Sequence, residues 1–554
     1  MIGLCNLLPR VPVGRRIKST LRSSVAVPLS RFARETDGNM SLLALAGSTM
    51  MLVFGGVGID MIYSEVQRTK LQNTLDRAVL AAANLDQDLD PELVVNEYFN
   101  AVNMGDALSS VNVNEGLSHR IVTASAERSL SANFLQLIGV DTLMTGGEAT
   151  AEERISNVEI SMVLDVSGSM GSNSKIGNLR DAATEFVETV IKEDDSGLTT
   201  INMIPYNATV NVGSTVASYY NLDDGHDYSN CAVFPSSSFN TATWNPSTEL
   251  ERLGHFDPWS TSTSTAPTFR SWCADDDYAA IMVHSSDETA LTDHIATFVA
   301  GGNTAIDLGM KWGVHLLDPS ARPVVNAMIT DSLVVGGASG RPAEYTAEDA
   351  IKIVVLMTDG KNTTQYDLKE EFKYGMSDLW IDDRGTSSTS DDRFSLKVRD
   401  WSGSDNDIWF WERYESSDWN TRNRNYPDGD GDARQMTNAE VFARWGTRGV
   451  AKKFYRQPYY DNFVSYNEYY NVYYAYEGTV NSSSADARLS SVCSAARDND
   501  ITIFAIGFEA PTAGQNAMSD CASSPAHYFA VEGLEIGDAF RQIARTINQL
   551  RLTQ

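Results

Sequence analysis

The chain has 554 residues, a formal net charge of −30, 42% hydrophobic and 21% charged residues. That length exceeds one ordinary core, so two or more folded units are expected, and the balance of apolar and charged residues excludes a disordered chain. The acidity excludes a nucleic-acid surface, since binding a polyanion takes clustered Lys and Arg; it fits solubility or, at particular carboxylates, capture of divalent cations.

Residues 1–40 form a basic segment, with Arg10, Arg15, Arg16, Lys18, Arg22, Arg31 and Arg34 against Glu35 and Asp37. Residues 41–59, SLLALAGSTMMLVFGGVGI, carry no charge and as a helix would cross about 30 Å of hydrocarbon. Gly47, Gly55, Gly56 and Gly58 would weaken a soluble helix but are tolerated in a membrane. Asp60 and Glu65 follow at once, so the positive-inside rule leaves the N-terminus in the cytoplasm and exports the bulk. A cleaved signal peptide is the competing reading, against which stand the long basic lead and the lack of a small-x-small site. Ile62, Val66, Leu71, Leu75, Val79 and Leu80 recur at helical spacing, which predicts that the helix continues to about Leu85.

This segment resembles the N-terminus of the TadE and TadG-like proteins of tight-adherence (Flp) pilus assembly. Shared features are Gly38 shortly before the span, Asp60 at its outer end, and an Ala-rich helix that includes Asp76. The resemblance implies a single-pass protein of the bacterial inner membrane. Residues 60–153 are then a helical stalk and a small α+β, pilin-like unit, with a helix near PELVVNEYFNAV and strands near SHRIVTASAERS and LMTGGEATAEER.

Residues 157–164, NVEISMVL, form an apolar strand that runs into Asp165-Val-Ser167-Gly-Ser169 and the helical pattern LRDAATEFVETVIK. A second buried-strand pattern, IKIVVLM, ends in Thr358-Asp359-Gly360, and GGNTAIDLGMKWGVHLL lies between. Parallel strands alternating with helices gather their loops at the carboxyl edge of the sheet, so Asp165, Ser167, Ser169, Thr304 and Asp359 are expected to converge. Hydroxyls with one or two carboxylates suit Mg2+, which keeps several waters; Mn2+ and Ca2+ are alternatives. The alternative without a metal is that Asp165 and the serines only cap the next helix.

These residues resemble the metal-ion-dependent adhesion site (MIDAS) of von Willebrand factor A domains. The resemblance implies that Ser167, Ser169 and Thr304 supply hydroxyls, that Asp165 and Asp359 bond the ion directly or through water, and that a partner's carboxylate completes the shell. Thr289, Thr292 and Thr297 compete for the threonine role, and the glycine-flanked position of Thr304 before a helix favours it. The C-terminal pattern, from ADARLSSVCSAARDND through ITIFAIGF to a final amphipathic helix, closes the domain and is similar to the TadG-like tail. The expected fold class is therefore α/β: a doubly wound, mainly parallel sheet of von Willebrand factor A or Rossmann-like type over residues 154–554, preceded by one transmembrane helix and the small α+β unit.

Two insertions, about 211–290 and 363–480, are too long for plain loops. Aromatics of the second, Trp401, Trp409, Trp411, Trp419, Tyr459, Tyr460, Tyr469, Tyr470, Tyr473 and Tyr474, are expected to pack it onto the domain or to form a partner or glycan surface. Asp428-Gly-Asp430-Gly-Asp432 starts like a calcium loop, but Ala433 and Ala439 replace the required Gly and Glu, so a turn is expected. Cys231, Cys273, Cys493 and Cys521 fit two disulfides in an oxidising compartment. Cys231 with Cys273 and Cys493 with Cys521 would each close a loop within one segment, though three connectivities and four free thiols stay open; Cys5 lies apart.

No phosphate loop, GxSxG elbow or HExxH cluster occurs, and no enzyme is expected. The expected function is metal-dependent binding of an acidic group on an envelope or pilus-assembly protein. A surface adhesin using the aromatic insertion is the second possibility, and an envelope enzyme with its site in that insertion the third.

Overall fold

The computed structural model describes residues 39–553 apart from 85–86, 88, 116–118, 155, 193–197, 265–271, 275, 348, 399–407 and 413–422. The basic residues Arg10 to Arg34, Cys5, Trp401 and Trp419 lie outside the described residues. The chain divides into two units, the first ending at Glu153 and the second running from Arg154 to Gln554.

In the first unit, helix α1 (Asn39–Ala83) is one 45-residue element, ending two residues before the expected Leu85. Its two halves differ in burial. Leu42, Leu43 and Phe54 are exposed, whereas Leu71, Leu75, Ala78, Val79 and Ala82 are buried, following the i, i+3, i+4 rule. Ile62, Val66 and Leu80, grouped with that stripe from their spacing, lie on the exposed side. Helix α2 (Pro91–Ala101) starts where Asp90 accepts the N–H groups of Glu92 and Leu93, a cap followed by Pro at the first helical position. Strands β1 (Leu108–Glu115), β2 (His119–Ser131) and β3 (Thr142–Arg154) form a sheet in that order. Val122, Ala124 and Ala126 of β2 pack with α1 and with Val95 and Phe99 of α2.

In the second unit a six-stranded sheet is built from β4 (Asn157–Asp165), β5 (Thr199–Tyr206), β6 (Met282–Ser285), β7 (Ala350–Thr358), β8 (Thr502–Phe508) and β9 (Tyr528–Val531). Their order is β9-β8-β7-β4-β5-β6. The first five are parallel neighbours, and β6 is antiparallel to β5. Strand β6 falls inside the span 211–290 read as an insertion; it is instead the edge of this sheet.

Alternation along each strand feeds two cores. Val163, Ile204, Val354, Leu356 and Ile503 face one side, with helices α5 (Ile306–His315), α6 (Ser482–Arg497) and α7 (Thr512–Cys521). Met162, Leu164, Met203, Val355 and Phe504 face the other, with α3 (Lys175–Lys192), α4 (Glu288–Ala296) and α8 (Glu535–Thr553). Helices thus cover both faces, as near-continuous apolar parallel strands require.

The second insertion folds on its own sheet of Met376–Asp382, Arg393–Val398, Ile408–Trp411, Asn423–Arg424 and Arg434–Thr437. Leu379, Phe394, Leu396, Phe410 and Trp445 form its core together with Phe256 and Trp272 of the first insertion. Trp409 is buried, whereas Tyr460 and Tyr474 are exposed, so the aromatics divide between packing and surface. Asp430–Asp432 is a single 3-10 turn after Gly429. Disulfides join Cys231 to Cys273 and Cys493 to Cys521.

Candidate functional site

Register brings the site together. Leu164 of β4 lies beside Met357 of β7, so Asp165 and Thr358 end neighbouring strands at one edge. The Asp165 carboxylate is wholly buried and accepts the Thr358 hydroxyl at 2.6 Å and the Ser167 N–H at 2.8 Å. The Ser167 and Ser169 hydroxyls are 3.1 Å apart, and Ser169 donates to Asp359 Oδ1 at 2.6 Å. Thr304 is held by its N–H, which donates to the Thr363 hydroxyl at 3.1 Å. Its Oγ1 and the Ser169 Oγ flank the same face of Gly360, 3.4 and 3.7 Å from where a Cβ would stand. Gly302, at φ +79°, turns its carbonyl to the Gly168 N–H at 3.0 Å, a conformation open to glycine at little strain. All five expected residues therefore lie in one cluster.

The competing threonines do not reach it. Thr289 and Thr292 sit in α4, where Thr292 donates to the Glu288 carbonyl, and Thr297 donates to His294 at 2.7 Å. Among the described residues no three His, Cys, Asp or Glu side chains converge, so the cluster offers two carboxylates and otherwise hydroxyls.

Two charged residues were not foreseen. Lys175, at the start of α3, donates to Asp359 Oδ2 at 3.0 Å and lies 3.7 Å from Glu509. Six residues past Ser169, it had no motif to mark it. Burial first, and then the Asp359 charge, pushes the Asp165 carboxyl up to about 6 against the hydrogen bonds from Thr358 and Ser167. Two nearby carboxylates with a single buried lysine form a place where added positive charge is favourable.

Asp307, in the first turn of α5, is also fully buried. It accepts from Gln365 at 2.7 Å and lies 3.8 Å from Arg488, yet burial still pushes it up to about 6. The folded state therefore holds the proton more tightly than the unfolded state. The associated stability is complete below the unfolded value of 3.8 and is lost as pH rises through about 6. Asp307→Asn should thus gain on the wild type between pH 4 and pH 7.5, by on the order of 2 to 3 kcal/mol. Paired denaturation curves at the two pH values check this, and a gap that does not widen toward neutral pH counts against it.

Comparison with known proteins bears on the N-terminal helix. Residues 38–85 match the Tad family model, described as Flp pilus-assembly, TadE/G-like. This segment is a TadE/G-like Flp pilus-assembly domain. Among curated proteins, none matches the chain. Solved structures similar to it include the vWF domain of the type V pili tip protein Mfa5 from Porphyromonas gingivalis, at 14% identity and TM-score 0.29, covering 71% of this chain and 96% of that one. The adhesive tip pilin GBS104 from Group B Streptococcus agalactiae gives 10% and 0.28, covering 70% and 99%. The PilB minor pilin from Streptococcus sanguinis gives 10% and 0.26, covering 80% and 78%.

Within the TadE/G-like segment, residues 41–59 form the exposed half of a helix long and apolar enough to cross a membrane. Asp60, one residue beyond, accepts the N–H groups of Asn133, Phe134 and Leu135 at 3.3, 2.7 and 2.8 Å. Asp76 accepts from Gln72 one turn earlier, at 2.9 Å.

Proposed function

We propose that the chain is a membrane-anchored, pilus-associated protein of the tight-adherence type whose exported domain binds an acidic group on another envelope protein through a divalent cation. The single observation that carries the metal is the cluster itself: Ser167, Ser169 and Thr304 hydroxyls beside Asp165 and Asp359 at one sheet edge. Oxygen donors of this kind suit Mg2+ or Mn2+, and too few protein ligands to fill the shell leave room for a partner's carboxylate. The strand order and the helices on both faces support reading the second unit as a doubly wound domain of von Willebrand factor A type. The TadE/G-like segment supports the pilus setting and a single crossing of the inner membrane with the N-terminus in the cytoplasm. The protein acts by binding, without turnover.

A calorimetric titration of the full chain with Mg2+ and Mn2+ tests this: saturable binding supports it, and none from a folded protein removes it. Lys175 sharpens the test. Its ammonium occupies the carboxylate that the cation needs, so Lys175→Met is expected to tighten Mn2+ binding by about tenfold. Weaker binding in that variant would mean that Lys175 instead holds Asp359 in place.

Exposed Tyr460, Tyr466 and Tyr474 favour a second reading, an adhesin that meets a surface ligand through the second insertion. Retained ligand binding after chelation of all divalent cations would select it.

A further inference from the structure

In the first unit, β2 passes to β3 through a loop closed by the Ala132 N–H donating to the Asp141 carbonyl at 3.0 Å. Leu135–Ile138 makes one 3-10 turn within it, ended by Gly139 at φ 89°. Two contacts fasten this loop to α1. The Asp60 carboxylate takes the N–H groups of Asn133, Phe134 and Leu135, and the Phe134 ring lies on Gly56, where any Cβ would collide with it. Gly56 is inside the charge-free run 41–59, and Asp60 is the first charge after it. The loop is therefore held level with the last turn of the apolar helix.

What the loop presents there is apolar. Leu135 is buried, but Leu137 is 71% exposed, Ile138 58% and Val140 39%. Ile59 and Ile62 of α1, at the same level, are exposed as well. In water this patch would be unfavourable, whereas the acyl–headgroup boundary of a bilayer accepts such side chains.

We propose that the loop Asn133–Val140 is a second membrane contact, seating Leu137 and Ile138 in the lipid on the side where the bulk of the chain lies. It rests on reading residues 41–59 as a membrane span. Helix and loop together then fix the depth and tilt of the first unit, which a lone helix leaves free.

The test uses the full chain with Cys5→Ser, reconstituted in phosphatidylcholine–phosphatidylglycerol vesicles containing acyl-brominated lipid. An environment-sensitive thiol dye is placed in turn at Leu137→Cys, at Met51→Cys in mid-span, and at Glu97→Cys on the exposed surface of α2. Blue-shifted emission and loss of intensity at positions 137 and 51, deepest at 51, with neither at 97, are the expected results. Quenching at 51 with position 137 behaving like 97 would overturn the proposal while leaving the span intact. No quenching at 51 would overturn the span and the loop contact together.

Discussion

Replacing Asp359 by alanine is expected to weaken divalent-cation binding by about 100-fold while leaving the parallel sheet folded. The Asp359 side chain is fully buried and receives both the Ser169 hydroxyl and the Lys175 ammonium. Without it the cluster keeps one carboxylate, that of Asp165, already engaged by the Thr358 hydroxyl and the Ser167 N–H, and the hydroxyls add too little to hold a hard dication against its hydration shell. Lys175 retains Glu509 at 3.7 Å, so the loss is confined to the site. Asp359→Asn can still accept the Ser169 hydroxyl but carries no charge. It should lose nearly as much affinity, measured by Mn2+ calorimetry beside a circular dichroism check of folding. Wild-type affinity in the Asn variant would show that the carboxylate charge is unused and that Thr358-Asp359-Gly360 is only a turn.

The second large effect is structural. Removing the Cys231–Cys273 bridge, with both residues changed to Ser, should destabilise the region it closes by about 4 kcal/mol on the chain-entropy estimate for its sequence separation of 42. Both cysteines belong to the core that holds Phe256 and Trp272 of the first insertion and Leu379, Phe394 and Trp445 of the second. Loosening is therefore expected in both insertions, while β4 and β7, on separate cores, stay protected. Hydrogen exchange resolves the two: faster exchange in 376–382 and 393–398 with unchanged 157–165 and 350–358 is the expected pattern. Uniform acceleration over all four segments would contradict the division of cores.

Much of this was legible in the sequence because the signals were local. The charge-free run, the buried strands 157–165 and 350–358, and the loops that follow them could be read from periodicity and turn residues. Thr304 was recoverable because its glycine-flanked place before a helix differs from the helical setting of Thr292. Other features depend on chain far away. β1 alternates only over Val111-Asn112-Val113-Asn114, with no residue fully buried, a signal too short to mark a strand alone, and pairing with β2 makes it one. β6 is four residues long within a Ser- and Asp-rich stretch, and only pairing to β5 places it in the main sheet. Lys175 looks like an ordinary helix-start residue until the fold brings Asp359, 184 positions away, to its ammonium. The loop 133–140 was equally hidden, since nothing local in its sequence ties it to α1 until the fold brings its backbone N–H groups to the Asp60 carboxylate.

The measurement that bears most directly on the proposed metal site is anomalous diffraction from crystals of the protein grown with Mn2+. An anomalous peak bonded to the Ser167 and Ser169 hydroxyls and adjoining Thr304, Asp165 and Asp359, with the Lys175 ammonium displaced from Asp359, is the predicted result. A peak elsewhere, such as at Asp428 and Asp430, or none at all with Lys175 still seated on Asp359, would contradict it.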